Sequence, residues 1–335
     1  MRGLAFRNSL HLPLAAFLIL LLCFLLYHYN GRPLQQTYTT VVPNSPSSLR
    51  RQELVQVLKK VAMSDRTIIL TMVDESWASP GSVLDIFLES FKYGEDTQMF
   101  LNHLLVIAMD TKAYQHCISL HHHCIHPNTF ANYFATKTQS TTSPDHSSFS
   151  WRRNNVLLEM LGLGYNTIFT EADVLWLRNP LSHFDPIHEL SISCDSSDNG
   201  QTGHYFHDGG LFFLKANAIA FEFLKYWKLF KVLYPKSLDR SSLCATITQN
   251  QDVVEAYGFR VNHIKETYFG GFCQQTKNTL REAYTIHANC CDDLTSKVQD
   301  LRSVLDDWIQ FRKNVSGTDK MIMRRPGKCL GWKFT

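Results

Sequence analysis

The chain has 335 residues, 44% hydrophobic and 19% charged, an ordinary globular composition with enough apolar material for a large core. Its formal net charge of +3 is too small to make a basic binding face. Part of that excess sits near the chain ends, at Arg2 and Arg7 and at Arg324, Arg325 and Lys328, so no nucleic acid is expected as a partner.

The first element is "LPLAAFLILLLCFLLY", Leu12 to Tyr27, which carries no charged side chain. It falls short of the roughly 20 residues of a full span, but His11, Tyr27, His28 and Tyr29 suit the membrane interface and extend it. We read residues 12–28 as a transmembrane signal anchor and 1–11 as a cytosolic tail. A cleaved signal peptide is the competing reading, and the bulky, polar "HYNGRP" after the run offers no small-x-small cleavage site. Arg2 and Arg7 precede the run, so the positive-inside rule puts the remainder in the lumen, as a type II membrane protein. Residues 29–60 then read as stem and linker, rich in Pro and Ser at first. Within their last part, "RQELVQVLKKVAM" spaces Leu54, Val57, Leu58 and Val61 as a helix does.

From here strands and helices alternate. "TIILTMV" (67–73) is a short β-branched run that ends in Asp74, and "SPGSVLDIFLESFKYG" supplies a helix start and an amphipathic helix. "FLNHLLVIAMD" (100–110) reads as a second buried strand. "CISLHHHCIHP" comes next, with Cys117, Cys124 and several histidines in one short stretch. A zinc site would normally use closer cysteines and a second ligand pair elsewhere. In an oxidising lumen a Cys117–Cys124 disulfide is the better reading. Of the nine cysteines, Cys23 lies in the membrane run, and adjacent Cys290 and Cys291 cannot be given partners from sequence.

"TKTQSTTSPDHSS" (136–148) is poor in apolar residues and reads as a mobile loop. "SWRRNNVLLEMLGLGY" is a helix stopped by Gly162 and Gly164, and it feeds the strand "NTIFT". The alternation argues for an α/β fold, a mostly parallel Rossmann-type sheet with helices on both faces. It occupies one domain over residues 61–315, with a C-terminal tail at 316–335 to which no function is assigned. Asn314-Val315-Ser316 is an N-glycosylation pattern.

The chemically suggestive stretch is "YNTIFTEADVLWLRNP". In such sheets ligands bind beyond the carboxyl ends of the strands, where Glu171 and Asp173 stand. In extended backbone, residues two apart point to one side, so the two carboxylates should converge, with Ala172 turned inward. Side by side they repel unless a cation lies between them or one is protonated, and Mg²⁺ or Mn²⁺ suits all-oxygen ligation. The plain alternative has one acid capping the following segment and the other pairing with Arg178.

"FTEADVLWLRNP" resembles the Asp-x-Asp segment of the plant nucleotide-diphospho-sugar transferase family, Golgi glycosyltransferases of the GT-A fold that include arabinosyl- and xylosyltransferases. The resemblance runs from about Thr67 to Phe311 and takes in "TIILTMVDESW", "WRRNNVLLEMLGLGY", "HDGGLFFLKAN", "NQDVV" and "IHANCCDDLTSKVQDLRSVLDDW". It implies a metal-dependent transfer of a pentose or galactose from a UDP-sugar to a cell-wall glycan or glycoprotein, with retention, in the Golgi. Asp173 matches the acid that binds the metal directly, and Glu171 stands where the family usually has Asp. His287 resembles the late histidine that completes the metal shell, which favours Mn²⁺ over Mg²⁺. The resemblance further implies a diphosphate contact for Lys297, uracil or ribose contacts for Asp74, and sugar contacts for Asp208 and for Asp252 of the Gln251-Asp252 pair, the two candidate catalytic acids. Each has an ordinary structural alternative: a solvated helix residue, a turn acid, a turn before a strand and a helix cap. A transferase-like binding protein without turnover and a metal-dependent nucleotide hydrolase remain the other function classes.

Overall fold

The sheet starts from "TIILTMV": every residue of β1 (Thr67–Val73) is buried, as expected for a strand covered on both faces. The computed structural model describes residues 21, 46–130, 146–198, 204–233, 243–274, 279–291, 293–313 and 323–330. The chain divides into two units, Met1–Gln52 and Glu53–Thr335, and both sheets lie in the second. The anchor, apart from Leu21, lies outside the described residues, as do residues 29–45 of the stem, 136–145 of the polar loop, Asn314 and most of the tail. Among the described residues no helix is long and apolar enough to cross a membrane.

Helix α1 (Pro46–Val61) begins five residues ahead of the predicted start. Pro46 takes the first helical position, where its fixed φ suits the helix and its missing N–H is no loss. The expected Leu54, Leu58 and Val61 form its buried face. The remaining helices are α2 (Val83–Tyr93), α3 (Thr111–Leu120), α4 (His146–Gly162), α5 (Ala218–Leu233), α6 (Leu243–Gln249), α7 (Gln251–Ala256), α8 (Thr279–Glu282), α9 (Leu294–Lys313) and α10 (Gly327–Leu330). Residues 146–148, read as the end of the polar loop, form the first turn of α4.

Strands β1, β2 (Leu104–Ala108), β3 (Cys124–Ile125) and β4 (Asn166–Thr170) pair in parallel in the order β3-β2-β1-β4. Beyond β4 the expected parallel pattern breaks. β7 (His204–Leu214) runs antiparallel to both β4 and β6 (Leu190–Asp198), and β8 (Val261–His263) returns parallel to β6. Only residues 199–203 separate β6 from β7, and a parallel crossover takes about a dozen residues, so these neighbours must reverse. The sheet is therefore mixed, with helices on both faces.

Alternate side chains of the strands feed two cores. Ile68, Leu70 and Met72 meet α1, α4 and α5, whereas Ile69 and Val73 meet α2 and α9. A second, small sheet joins β5 (Val174–Trp176), β10 (Thr285–His287) and β9 (Phe269–Gly271), in the order β5-β10-β9. The expected Cys117–Cys124 disulfide is present, which removes the zinc reading of that stretch. Cys194–Cys244, Cys273–Cys290 and Cys291–Cys329 are also bridged, so Cys290 and Cys291 part to different partners.

Candidate active site

At the end of β4 the chain turns sharply. The Glu171 N–H donates to the Gly210 carbonyl of β7 at 2.7 Å, and the Val174 N–H donates to the Glu171 carbonyl at 3.3 Å. Glu171 and Asp173 thus converge because of a tight turn rather than by strand alternation. Ala172 is buried beneath them as expected. The small sheet then supplies the third group. β5 and β10 pair antiparallel with His287 opposite Val174, and the Ala288 N–H donates to the Asp173 carbonyl at 3.0 Å. That register sets the imidazole Nε2 3.2 Å from Glu171 Oε2 and 3.3 Å from Asp173 Oδ1.

Close packing depends on Gly210, whose φ of +72° lies in the left-handed region. A Cβ there would meet His287 Cγ at 2.8 Å and Val174 Cγ2 at 2.7 Å. Here "HDGG" has its physical reason: only a glycine lets β7 pass behind the histidine.

Lys297, in the first turns of α9, donates to Asp173 Oδ2 at 2.5 Å, and its ammonium stands 4.9 Å from the centre of the Trp77 ring. Arg153 of α4 reaches Glu171 Oε1 from the other side at 3.2 Å.

Asp173 is 1% exposed. Burial alone would push its carboxyl up, yet the charges of His287 and Lys297 outweigh burial and hold it far below the usual carboxylate range. Glu171 is likewise held down against burial, mainly by His287, with Arg153 assisting and Asp173 opposing. Burial would lower His287, but the two carboxylates raise it to about 10. The space between the two acids therefore favours positive charge.

One nitrogen and two carboxylates converge, their ligand atoms all within 4.8 Å of one another. Asp173 Oδ1 is buried and has no hydrogen-bond partner among the described residues. Its electropositive neighbour His287 Nε2 stands 3.3 Å away, so the oxygen has room to accept a further partner. The donor set fits a hard or borderline divalent cation that leaves further positions for water and substrate oxygens.

The other expected residues are distributed differently. Asp74 accepts from the Ser76 hydroxyl at 2.6 Å and from the Trp77 N–H at 3.1 Å, so its carboxylate closes a turn. That turn carries Trp77 onto Lys297, which places Asp74 near the cluster through its neighbour. Asp252 is exposed in the first turn of α7, without a hydrogen bond or ion pair to Glu171, Asp173 or His287. Asp208 lies in β7 opposite Cys194, two residues before Gly210, and its side chain is outside the described set. The pairing of an acid with Arg178 is not realised, because Arg178 bonds the Ala283 carbonyl and faces Glu95. Sequence reasoning passed over Trp77 and Arg153. For Arg153 a signal existed: it shares the 3.6-residue period of Val156, Leu157 and Met160, so a cation on the buried face of α4 needed a partner.

A profile described as Nucleotide-diphospho-sugar transferase matches residues 99–301, which contain Glu171, Asp173, His287 and Lys297. An Arabidopsis thaliana protein, itself named as uncharacterized, is 33% identical over 283 residues, covering 83% of this chain and 74% of its own. A UDP-D-xylose:L-fucose alpha-1,3-D-xylosyltransferase of Arabidopsis thaliana is 27% identical over 56% of this chain and 51% of its own. Among solved structures, mouse xyloside xylosyltransferase 1 superposes with a TM-score of 0.41 at 10% identity, over 67% of this chain and 98% of that one. With the profile spanning more than half its length, the chain belongs to the nucleotide-diphospho-sugar transferase family and is a glycosyltransferase.

Proposed function

We propose that this protein moves a pentose or galactose from a UDP-sugar to a cell-wall glycan or glycoprotein, with retention, using Mn²⁺ or Mg²⁺ held by Asp173, Glu171 and His287. The observation that carries the reading is the convergence of Glu171, Asp173 and His287, with their ligand atoms all within 4.8 Å of one another. An imidazole among the ligands favours Mn²⁺. Two Arabidopsis thaliana relatives, an arabinosyltransferase and the xylosyltransferase, support a pentose donor.

Asp173, Glu171 and His287 would hold the divalent cation, which would supply charge neutralisation for the departing diphosphate. The protein's own groups do the rest. Asp173 is kept ionised by its neighbours, so it presents a full negative charge without a change of protonation. Lys297 sits on Asp173 Oδ2 under the Trp77 ring, positioned to turn toward phosphate oxygens as they arrive. A front-face attack, in which the leaving diphosphate takes the acceptor proton, needs no dedicated carboxylate base; the other retaining route would use Asp252 or Asp208 as nucleophile. Asp252 and Asp208 remain the candidates for sugar contacts, and Asp74 for the ribose.

We place the protein in the Golgi membrane as a type II protein anchored by residues 12–28. The uncharged run and the four disulfides, which persist in oxidising compartments, support that placement.

The test is a donor screen on the purified full chain with UDP-xylose, UDP-arabinose and UDP-galactose, with and without Mn²⁺, read by product mass. Metal-dependent transfer from one donor supports the reading. Donor binding without turnover would make the protein a transferase-like binder, and phosphate release without sugar transfer would make it a hydrolase; either outcome overturns it.

A further inference from the structure

The geometry assigns Arg153 as a positioning residue that fixes the carboxylate of Glu171 for metal binding, so that Arg153 and the long acid at 171 work as one unit. The inference rests on the metal-site reading above. Glu171 has one more torsion than an aspartate, and its side chain is 27% exposed, so packing alone does not fix which way its oxygens face. Two partners do. Oε1 accepts from Arg153 Nη1 at 3.2 Å, while Oε2 faces His287 Nε2 at 3.2 Å. With one oxygen held on each side, the carboxylate plane is set toward the imidazole and Asp173.

Arg153 is itself immobilised. It is buried on the core face of α4, with its guanidinium carbon 5.3 Å from the centre of the Phe169 ring and 5.7 Å from that of Trp227. Phe169 lies in β4, two residues before Glu171, so the strand that delivers the acid also helps to hold the cation. A planar guanidinium keeps its direction between rings, whereas a lysine ammonium is shorter and offers no fork. The side-chain length at 171 follows from the same geometry. An aspartate is shorter by one methylene, about 1.5 Å, which would withdraw its oxygen from Arg153 beyond hydrogen-bond reach.

The experiment titrates Mn²⁺ into the full chain at neutral pH and reads free Mn²⁺ by electron paramagnetic resonance, with no donor or turnover involved. Wild type is compared with Arg153→Lys, Glu171→Asp, the double variant and Asp173→Ala, each checked for fold by circular dichroism. Partners of metal ligands typically matter by ten- to a hundredfold in affinity. Both single variants should therefore weaken Mn²⁺ binding about tenfold or more, with the double variant no weaker than the weaker single. Arg153→Lys binding within twofold of wild type, or losses that multiply in the double variant, would overturn the assignment. If Arg153→Lys does not fold, Glu171→Asp decides alone: binding tenfold weaker sustains the pairing, and equal or tighter binding refutes it. Asp173→Ala separates the two claims, since wild-type affinity there sinks the metal site itself.

Discussion

Gly210→Ala perturbs the site without removing any ligand. Two effects add. Residue 210 sits at φ +72°, where a side chain costs about 1–2 kcal/mol. The new methyl would also stand 2.7–2.9 Å from Val174 Cγ2 and from His287 Cγ and Cδ2, against a comfortable carbon separation of about 3.5–4.0 Å. Relief requires a shift of about 0.7 Å in a ring held between Asp173 and Glu171, and overpacking of this kind costs about 1–3 kcal/mol. The sum, about 2–5 kcal/mol, is large against a typical stability of about 5–15 kcal/mol but leaves most such domains folded. Ligand distances tolerate only about 0.2 Å, so Mn²⁺ affinity should drop at least tenfold. Gly258→Ala is the control: φ there is +64°, but nothing lies within 4 Å of the added methyl. It should lose about 1 kcal/mol and bind Mn²⁺ normally. Urea unfolding and Mn²⁺ titration of both variants provide the comparison. If Gly210→Ala is no less stable than Gly258→Ala and keeps wild-type affinity, the close approach of β7 to His287 has no functional meaning.

Two further predictions concern stability. Glu189, 1% exposed, accepts from the backbone, Nε and Nη2 of Arg260 and is held down to about 2 from its ordinary 4.5. A depressed acid stabilises the fold above its unfolded value and loses that contribution as pH falls toward its folded one. The shift corresponds to about 3 kcal/mol, and the exposure of Arg260 reduces this to about 2. Urea unfolding of Glu189→Gln should therefore show a deficit of about 2 kcal/mol at pH 6 that narrows by half or more at pH 3; an unchanged deficit would contradict the ion pair. Asp300, buried in α9, accepts from the N–H groups of Lys328 and Cys329 at 2.9 and 2.7 Å, beside the Cys291–Cys329 bridge. Asp300→Ala should lose about 2–3 kcal/mol in chemical denaturation and speed proteolysis within 323–330; wild-type resistance would show that the disulfide alone holds this segment.

Much of the parallel half was legible because β1, β2 and β4 are largely apolar runs between turn residues. The acid pair stood out as charge at the end of such a run. Cys117 and Cys124 were readable because they are seven residues apart on a helix and the strand after it. The other three bridges join cysteines 17, 38 and 50 residues apart, and no local pattern selects among their pairings. His287 reaches Asp173 through the β5–β10 register, a contact over more than a hundred residues that only the family resemblance anticipated. Arg153 escaped notice because a cation on a core face is visible only once that face is assigned. Asp74 was legible as an acid after a strand, but not that a nearby serine hydroxyl and the Trp77 N–H would hold its Oδ1 in a turn. Asp252 was legible only as an acid at a helix start, and it is exposed in the first turn of α7.

Whether Asp173 grips a cation needed for sugar transfer can be decided by a single assay. Transfer from the preferred UDP-sugar is followed for wild type and for the isosteric Asp173→Asn, after chelation and again after Mn²⁺ is restored. Wild type should be active only with metal, and Asp173→Asn at matched Mn²⁺ should lose about a hundredfold or more, in the range for a group that stabilises developing charge. Full activity of Asp173→Asn, or of chelated wild type, would contradict a metal-gripping role for Asp173.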